Sequence, residues 1–254
     1  MILYGLTSPQ VSDLDRSTVV VIPFGSVEQH SLHLPLGTDS IIGEAIARRL
    51  EHELPEQVLL LPMTWLGCSR HHMDFAGSLT AEIDTFIAVG EQLVSSMAEH
   101  GFRNFILLNS HGGNTNKVSL MAEKLRYKLG PASKVVAVTY WHLIGEEIQT
   151  IRETPLGGMG HSGELETSVM LVVRPDLVRK DLIESDGPAK PSKFEGSDLF
   201  VPGRVSVAKP FKELSRHGGV GDPRKASKEK GEKIISAIVS RLAEVVSEIQ
   251  SGNL

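Results

Sequence analysis

The sequence predicts an α/β fold: a mainly parallel central sheet with helices on both faces. Two observations predict it. Short apolar runs alternate with longer segments of helical periodicity over the first 140 residues, and a β-α-β-α order of that kind favours parallel pairing through crossover helices. Clusters of site-type polar residues also follow directly after three of the runs, and ligands of open parallel sheets bind outside the carboxyl ends of the strands.

The runs "TVVVIP" (18–23), "VLLLPM" (58–63), "NFILLN" (104–109) and "KVVAVTY" (134–140) read as buried strands, being short and β-branched or leucine-rich. Between them, 40–54, 81–101 and 115–130 carry apolar residues at helical spacing, and Gly101 and Gly130 are plausible helix stops. A further helix is expected over 163–173. The last, 222–249, carries a stripe through Ile234, Ile235, Ile238, Leu242 and Val246. The segment from about 182 to 221, rich in Pro, Gly, Ser and Lys, reads as a loop-rich excursion or flap.

Length and composition narrow the classes. At 254 residues one domain spanning 1–254 is expected. Hydrophobic residues at 41% and charged residues at 22% are globular proportions and exclude a largely disordered chain. A formal charge of −5 leaves no basic surface for nucleic acid. No apolar run approaches the ~20 residues of a membrane span, and the start "MILYGLTSPQ" lacks the features of a signal peptide. The single Cys68 cannot form an internal disulfide and points to a reducing compartment. The expectation is a cytoplasmic protein.

Three clusters carry chemistry. "GSVEQHSLHLPLGTDS" (25–40) follows the first strand and holds Glu28, His30, His33 and Asp39. Carboxylates and imidazoles are the ligands of zinc, manganese or iron in hydrolytic sites. Glu28 and His30, two apart in an extended segment, project the same way. Asp39 is also placed to cap the next helix, and His33 reads equally as a packed histidine. "LLNSHGGNTN" (107–116) puts His111 between a strand and a helix; its glycines could instead cradle phosphate, but the lysine-bearing P-loop pattern is absent, and a metal ligand suits it better. In "GHSGELETS" (160–168), a helix starting here would put His161 and Glu164 on one face, with Glu166 pointing elsewhere; the bland alternative is a capping motif. Ser69 and His72 in "GCSRHHMD" are candidate substrate contacts, as is the backbone at Gly112, while His71 is expected at the surface. Cys68 has no base beside it and reads as a small buried residue. His217, in "RHGGVGDP", either closes over the site or belongs to a plain turn.

Together "PFGSVEQHSLHLPLGTD", "LLNSHGGN", "HSGELETS" and "GDPRKASKEKGE" resemble the creatininase (creatinine amidohydrolase) family over roughly Val19 to Gly231. The resemblance implies a three-layer α/β/α sandwich, a two-metal site and a homohexamer. Carried over by position, Glu28 and His111 bind one metal, His30 binds the second, and Asp39 bridges them. In creatininase a glutamate two residues after the histidine of the second motif completes the shell. Here that position is Gly113; relatives with the "GGN" form carry a glutamate in the third motif, and by that resemblance Glu164 is expected to complete the second metal's shell, with Glu166 as the second choice. His161 matches the family's catalytic histidine, and Glu166 is grouped with it as a catalytic candidate. Creatininase has a Glu-His pair where this chain has Gly160-His161, and tryptophans where "LGGMG" has none; "HSLH" replaces the common "HGPH". These departures point away from creatinine itself.

The expected activity is metal-dependent hydrolysis of an amide or cyclic amide bond in a small molecule, with two divalent ions per chain, zinc first and manganese or iron as alternatives. His161 would move a proton to the departing nitrogen. Two rivals are a metallopeptidase acting on a short peptide and a metal-binding relative without turnover.

Overall fold

The structure, a computed structural model, describes residues 1–185, 193–196, 198–201 and 203–254. Four strands, β1 (Val19–Phe24), β2 (Val58–Leu60), β3 (Asn104–Asn109) and β4 (Lys134–Thr139), form one all-parallel sheet in the order β2-β1-β3-β4. The helices are α1 (Ser8–Ser12), α2 (Thr38–Glu53), α3 (Ile83–Glu99), α4 (Thr115–Leu129), α5 (Ile148–Ile151), α6 (Glu164–Val173), α7 (Phe211–Leu214) and α8 (Lys228–Ser251). Among the described residues no helix is long and apolar enough to cross a membrane.

Strand alternation sorts the core into two layers. Val19, Val21, Ile106 and Leu108 face one way and pack with Ile42, Ile46 and Leu50 of α2, Leu165 and Val169 of α6, and Ile234, Ile238 and Leu242 of α8. Val20, Ile22, Phe105 and Leu107 face the other way, against Phe86 and Val94 of α3 and Val118, Met121 and Leu125 of α4. The sheet is therefore covered on both faces, as the expected sandwich requires.

Three boundaries differ from expectation for identifiable reasons. Residues 58–63 read as a strand, but pairing stops at Leu60 because Pro62, having no N–H, cannot continue the ladder. The last helix begins at Lys228 rather than 222: Asp222 and Pro223 set up a separate 3₁₀ turn, and Ser227 then caps α8 by accepting the Lys230 N–H at 3.2 Å. The third motif does not begin as a helix either. Ser162 lies at φ +58, so α6 starts at Glu164 and His161 stays outside it. Of the 182–221 excursion, residues 186–192, 197 and 202 lie outside the described set. Its described part is anchored by Arg152, whose Nη2 lies 2.7 Å from Asp198 Oδ2, and contains α7.

Helices α6 and α8 approach so closely that a Cβ at Gly231 would strike the backbone of Ser168. Across this contact Lys230 Nζ of α8 pairs with the fully buried Glu164 of α6, and also with Glu153 at 2.7 Å and the carbonyl of Lys225 at 2.6 Å. Removing one partner of a buried pair strands the other charge, so Lys230→Met should lower unfolding free energy by about 3–5 kcal/mol. Urea denaturation checks this, and the double variant with Glu164→Met should recover only part of the loss, because the Thr154 and Glu153 N–H groups then lose their acceptor.

Candidate metal centre

Strand register aligns Phe24, Asn109 and Thr139 at the carboxyl edge of the sheet. Each strand then releases a loop that carries site residues. The loops are tied together by two asparagines. Asn109 donates to the His111 carbonyl (2.8 Å) and to Thr139 Oγ1 (3.1 Å), and accepts from the His111 N–H (3.1 Å). Asn114 accepts from Cys68 N–H at 2.9 Å and donates to Gly25 O at 3.0 Å, so it links the loops after β1, β2 and β3.

Four of the expected ligands converge. Glu28, His30, Asp39 and His111 are each at most 2% exposed. Asp39, in the first turn of α2, puts Oδ1 3.1 Å from His30 Nε2 and Oδ2 3.0 Å from His111 Nδ1. Glu28 Oε2 lies 3.3 Å from His111 Nε2, and its Oε1 lies 3.1 Å from His72 Nε2 and 3.7 Å from His161 Nδ1. Ligand atoms gather within 4.8 Å of one another in three overlapping groups: Glu28, His30 and His161; Glu28, His71 and His111; His30, Asp39 and Glu166. Asp39 Oδ2 has no hydrogen-bond donor although it is buried and faces an imidazole nitrogen. A buried carboxylate oxygen without a proton partner, among imidazole nitrogens and further carboxylates, fits a divalent cation. His30 is oriented for this: its Nδ1–H donates to the Glu28 carbonyl at 3.1 Å, which leaves Nε2 as the donor atom.

The expectation that Glu164 completes the second shell is corrected. Its carboxylate is turned away, taking the Thr154 N–H at 2.9 Å, the Glu153 N–H at 3.0 Å, the Thr154 hydroxyl and the Lys230 ammonium. Glu166, the second choice, lies instead 4.0 Å from His30 Nε2 and accepts the Ser162 N–H at 2.7 Å. Nor do His161 and Glu164 share a helix face, because His161 precedes the helix. The reason for a glycine at 113 is steric: a Cβ there would overlap the Cys68 carbonyl, His111 Nε2 and His71 Cε1.

Ser69 and His72 enter the cluster, but as buried partners of its ligands. Ser69 Oγ lies 3.2 Å from His111 Nε2 and hydrogen-bonds Ser26 Oγ, while His72 contacts Glu28. Gly112 is exposed at the mouth. His71, expected at the surface, is half-buried and stacks on His111 with centroids 5.7 Å apart. The 3₁₀ turn at 70–72 brings both histidines inward, a geometry that "SRHH" does not announce. His33 is a packed histidine, its Nε2 2.9 Å from Thr167 Oγ1. Cys68 is buried, and burial pushes its thiol pKa up. His217 lies 3.7 Å from Glu184, while its neighbours hold the site: Val220 and Gly221 N–H groups donate to the His161 carbonyl. Phe211 of α7 covers the histidines, 4.1 Å from the His72 ring and 4.9 Å from that of His161. Beside it a cavity of about 1380 Å³ opens between Arg70, His71 and Met73 on one side and Arg204, Val207 and Phe211 on the other.

Burial and neighbouring charge set the protonation. Burial disfavours the Glu28 carboxylate, but His111 and His72 outweigh it and hold its pKa well below the usual range. Burial works against charged His111 and His30, yet the surrounding carboxylates raise both, His30 to about 9. Glu166 rises to about 7, from burial first and then the charges of Asp39 and Glu28. His161 falls well below its ordinary value through burial and the nearby His30 and His72, and His71 falls to about 3 through burial and His72.

A family model for creatininase, described as creatinine amidohydrolase, matches residues 5–246. The chain belongs to the creatininase family. It is 27% identical over 243 residues to the creatinine amidohydrolase of Pseudomonas putida, with 91% of this chain and 89% of the relative covered. It is 32% identical over 254 residues to the mycofactocin precursor peptide peptidase of Mycobacterium tuberculosis, covering 93% and 87%. Among solved structures, a manganese creatininase superposes with TM-score 0.81 at 26% identity over 97% of both chains. A mutant creatininase of Zn-Zn type gives 0.81 at 25% over 97% of both. Membership supports hydrolase chemistry of the amidohydrolase kind, and the cluster together with these structures supports divalent metal binding.

Three outcomes follow. Gly113→Ala should drive His111 from its place, measured as loss of bound zinc with a folded circular dichroism spectrum. Metal affinity should also climb with pH. Glu166 and His30 of the metal-free protein hold protons up to about 7 and about 9, and a cation must displace them. Between about pH 7 and about 9, where the histidines that burial keeps neutral titrate in neither state, metal-free stability should move oppositely. The native state binds the extra protons, so the Glu166 contribution falls as pH rises from its ordinary 4.5 through about 7, and that of His30 falls from 6.5 through about 9. Chelator competition and thermal melts between these limits test both.

Proposed function

We propose that this chain is a metal-dependent amidohydrolase that splits an amide or cyclic amide C–N bond of a small molecule, with water as the attacking group. The observation that carries this reading is that Asp39 reaches His111 with one oxygen and His30 with the other, joining two acid–histidine groups at one buried point. Glu28, His111 and Asp39 would hold one ion, and His30, Asp39 and Glu166 the other. Divalent ions there, zinc first with manganese or iron as alternatives, would polarise the substrate carbonyl and lower the pKa of a bound water to about 7.

His161 is neutral at neutral pH, with Nδ1 turned toward Glu28. It takes the proton released by the attacking water and returns it to the departing nitrogen, a role typically worth about 10²–10⁴ in rate. Ser69 and His72 brace His111 and Glu28, leaving Gly112 and the cavity wall to meet substrate. Phe211 and Met73 on that wall exclude water from the reacting bond. A homohexamer, on family resemblance, and a cytoplasmic location, on composition and the single cysteine, form part of the same reading.

One observation favours a second reading, a metallopeptidase acting on a short peptide. The cavity beside His71 and Phe211 is far larger than a cyclic amide needs, and one relative at 32% identity is a peptide peptidase. The metal-binding relative without turnover gains nothing from Gly113, because Glu166 stands where a further ligand is needed.

Metal-reconstituted protein assayed on cyclic amides, formamides and short peptides, with elemental analysis, decides among these. Two ions per chain and cleavage of a non-peptide amide are expected. Glu28→Ala and His111→Ala should each lose metal and at least about 10²-fold in rate; full activity of Glu28→Ala would overturn the reading.

A further inference from the structure

Gln29 lies between Glu28 and His30, is 5% exposed, and belongs to none of the metal groups. Its bonding leaves little freedom. The side-chain oxygen accepts the Ser31 N–H at 2.9 Å, which fixes the orientation of the amide, since a flipped amide would set two donors face to face. Ser31 sits at φ +57, a left-handed conformation uncommon for serine, and that conformation aims its N–H at Gln29.

The amide nitrogen then has two hydrogens and three neighbours: His72 Nδ1 at 2.7 Å, Gly218 O at 3.0 Å and His161 Nε2 at 3.1 Å. His161 Nε2 lies 2.8 Å from the Gln29 carbonyl oxygen, which can only accept, so this nitrogen carries a proton and cannot accept another. The two amide hydrogens go to His72 Nδ1 and Gly218 O. His72 must therefore be protonated on Nε2, and that N–H donates to Glu28 Oε1 at 3.1 Å. His161 keeps a lone pair on Nδ1.

We infer that Gln29 is a positioning residue that sets the proton positions of two histidines at once. Its side chain, with Glu28 on the opposite ring nitrogen, holds His72 as the Nε2–H form, and its backbone carbonyl fixes His161 as the Nε2–H form. The first assignment occupies Glu28 Oε1 and leaves Oε2 to face His111. The second leaves His161 Nδ1 open to take up and release a proton; that consequence rests on the hydrolase reading, whereas the assignments themselves do not. Through Gly218, held at φ +87 against the Gln29 amide, the same residue joins the end of the 182–221 excursion to the site.

The test is nitrogen-15 NMR of histidine-labelled protein, metal-free and zinc-loaded, with assignments from His72→Gln and His161→Gln. In the unmodified chain both rings should show the Nε2–H signature. In Gln29→Glu a second carboxylate acceptor stands at Nδ1 with Glu28 still at Nε2, so His72 should become the doubly protonated imidazolium while His161, held by the backbone, stays unchanged. Zinc affinity should drop about 10–100-fold as a cationic His72 competes for Glu28. An Nδ1–H form of His72 in the unmodified chain, or an unchanged His72 in folded Gln29→Glu, would overturn the inference. Should that variant not fold, the unmodified spectrum and Gln29→Leu decide instead: Glu28 keeps the His72 proton on Nε2, the Nδ1 resonance should move as its lone pair loses the amide donor, and an unmoved Nδ1 would overturn the inference. Because the tautomers are read without turnover, a protein that hydrolysed nothing would defeat the proposed function and leave this result standing.

Discussion

Three carboxylates, Glu28, Asp39 and Glu166, are buried within reach of one another, and this proximity is the constraint on which the site depends. Charges withdrawn from water are costly unless paired, and like charges brought together raise the cost. The imidazoles of His30 and His111 can offset at most two of the three negative charges. Glu166 meets the remainder by holding a proton to about 7. A site that must borrow protons to be stable without metal is one in which a cation is the natural replacement for them.

Such a cluster persists only where the backbone around it cannot relax. The parallel sheet supplies a rigid edge, and the loops leaving it are fastened to each other rather than to solvent. Asn114 ties three loops, Asn109 shapes the turn bearing His111, and Gly113 lets that turn lie against the Cys68 carbonyl with no side chain between. On the open side Phe211 and the 217–221 turn complete the enclosure, and Gln29 connects that turn to the histidines. Positional precision in the site thus comes from polar side chains that are not themselves ligands.

Much of this was legible in the chain. The strand runs are short, apolar and set between helical periods, and three of them lead into residues able to bind metal, which marks the edge of the sheet. Glu28, His30 and His111 stood out because they lie on loops directly after strands, and Asp39 because it opens the helix that follows the first of those loops. His71 was not, because two adjacent histidines in a 3₁₀ turn reach inward only when the turn packs under Phe211, 140 residues further on. Gln29 offered no signal beyond its place in "EQH", since its role consists of contacts with residues 72, 161 and 218.

The choice between Glu164 and Glu166 marks the boundary most clearly. The sequence carried, through its family resemblance, the expectation that an acid of the third motif faces the cluster, since the position two after His111 is a glycine. Two residues apart on a helix, however, point about 200° away from each other, so only one of them can. Which one is set by the rotation of α6 against its neighbours. Tertiary structure settled that rotation by placing Lys230 of α8 beside Glu164, leaving Glu166 toward His30. Helical spacing specifies the angle between two side chains, and only packing specifies where that angle points.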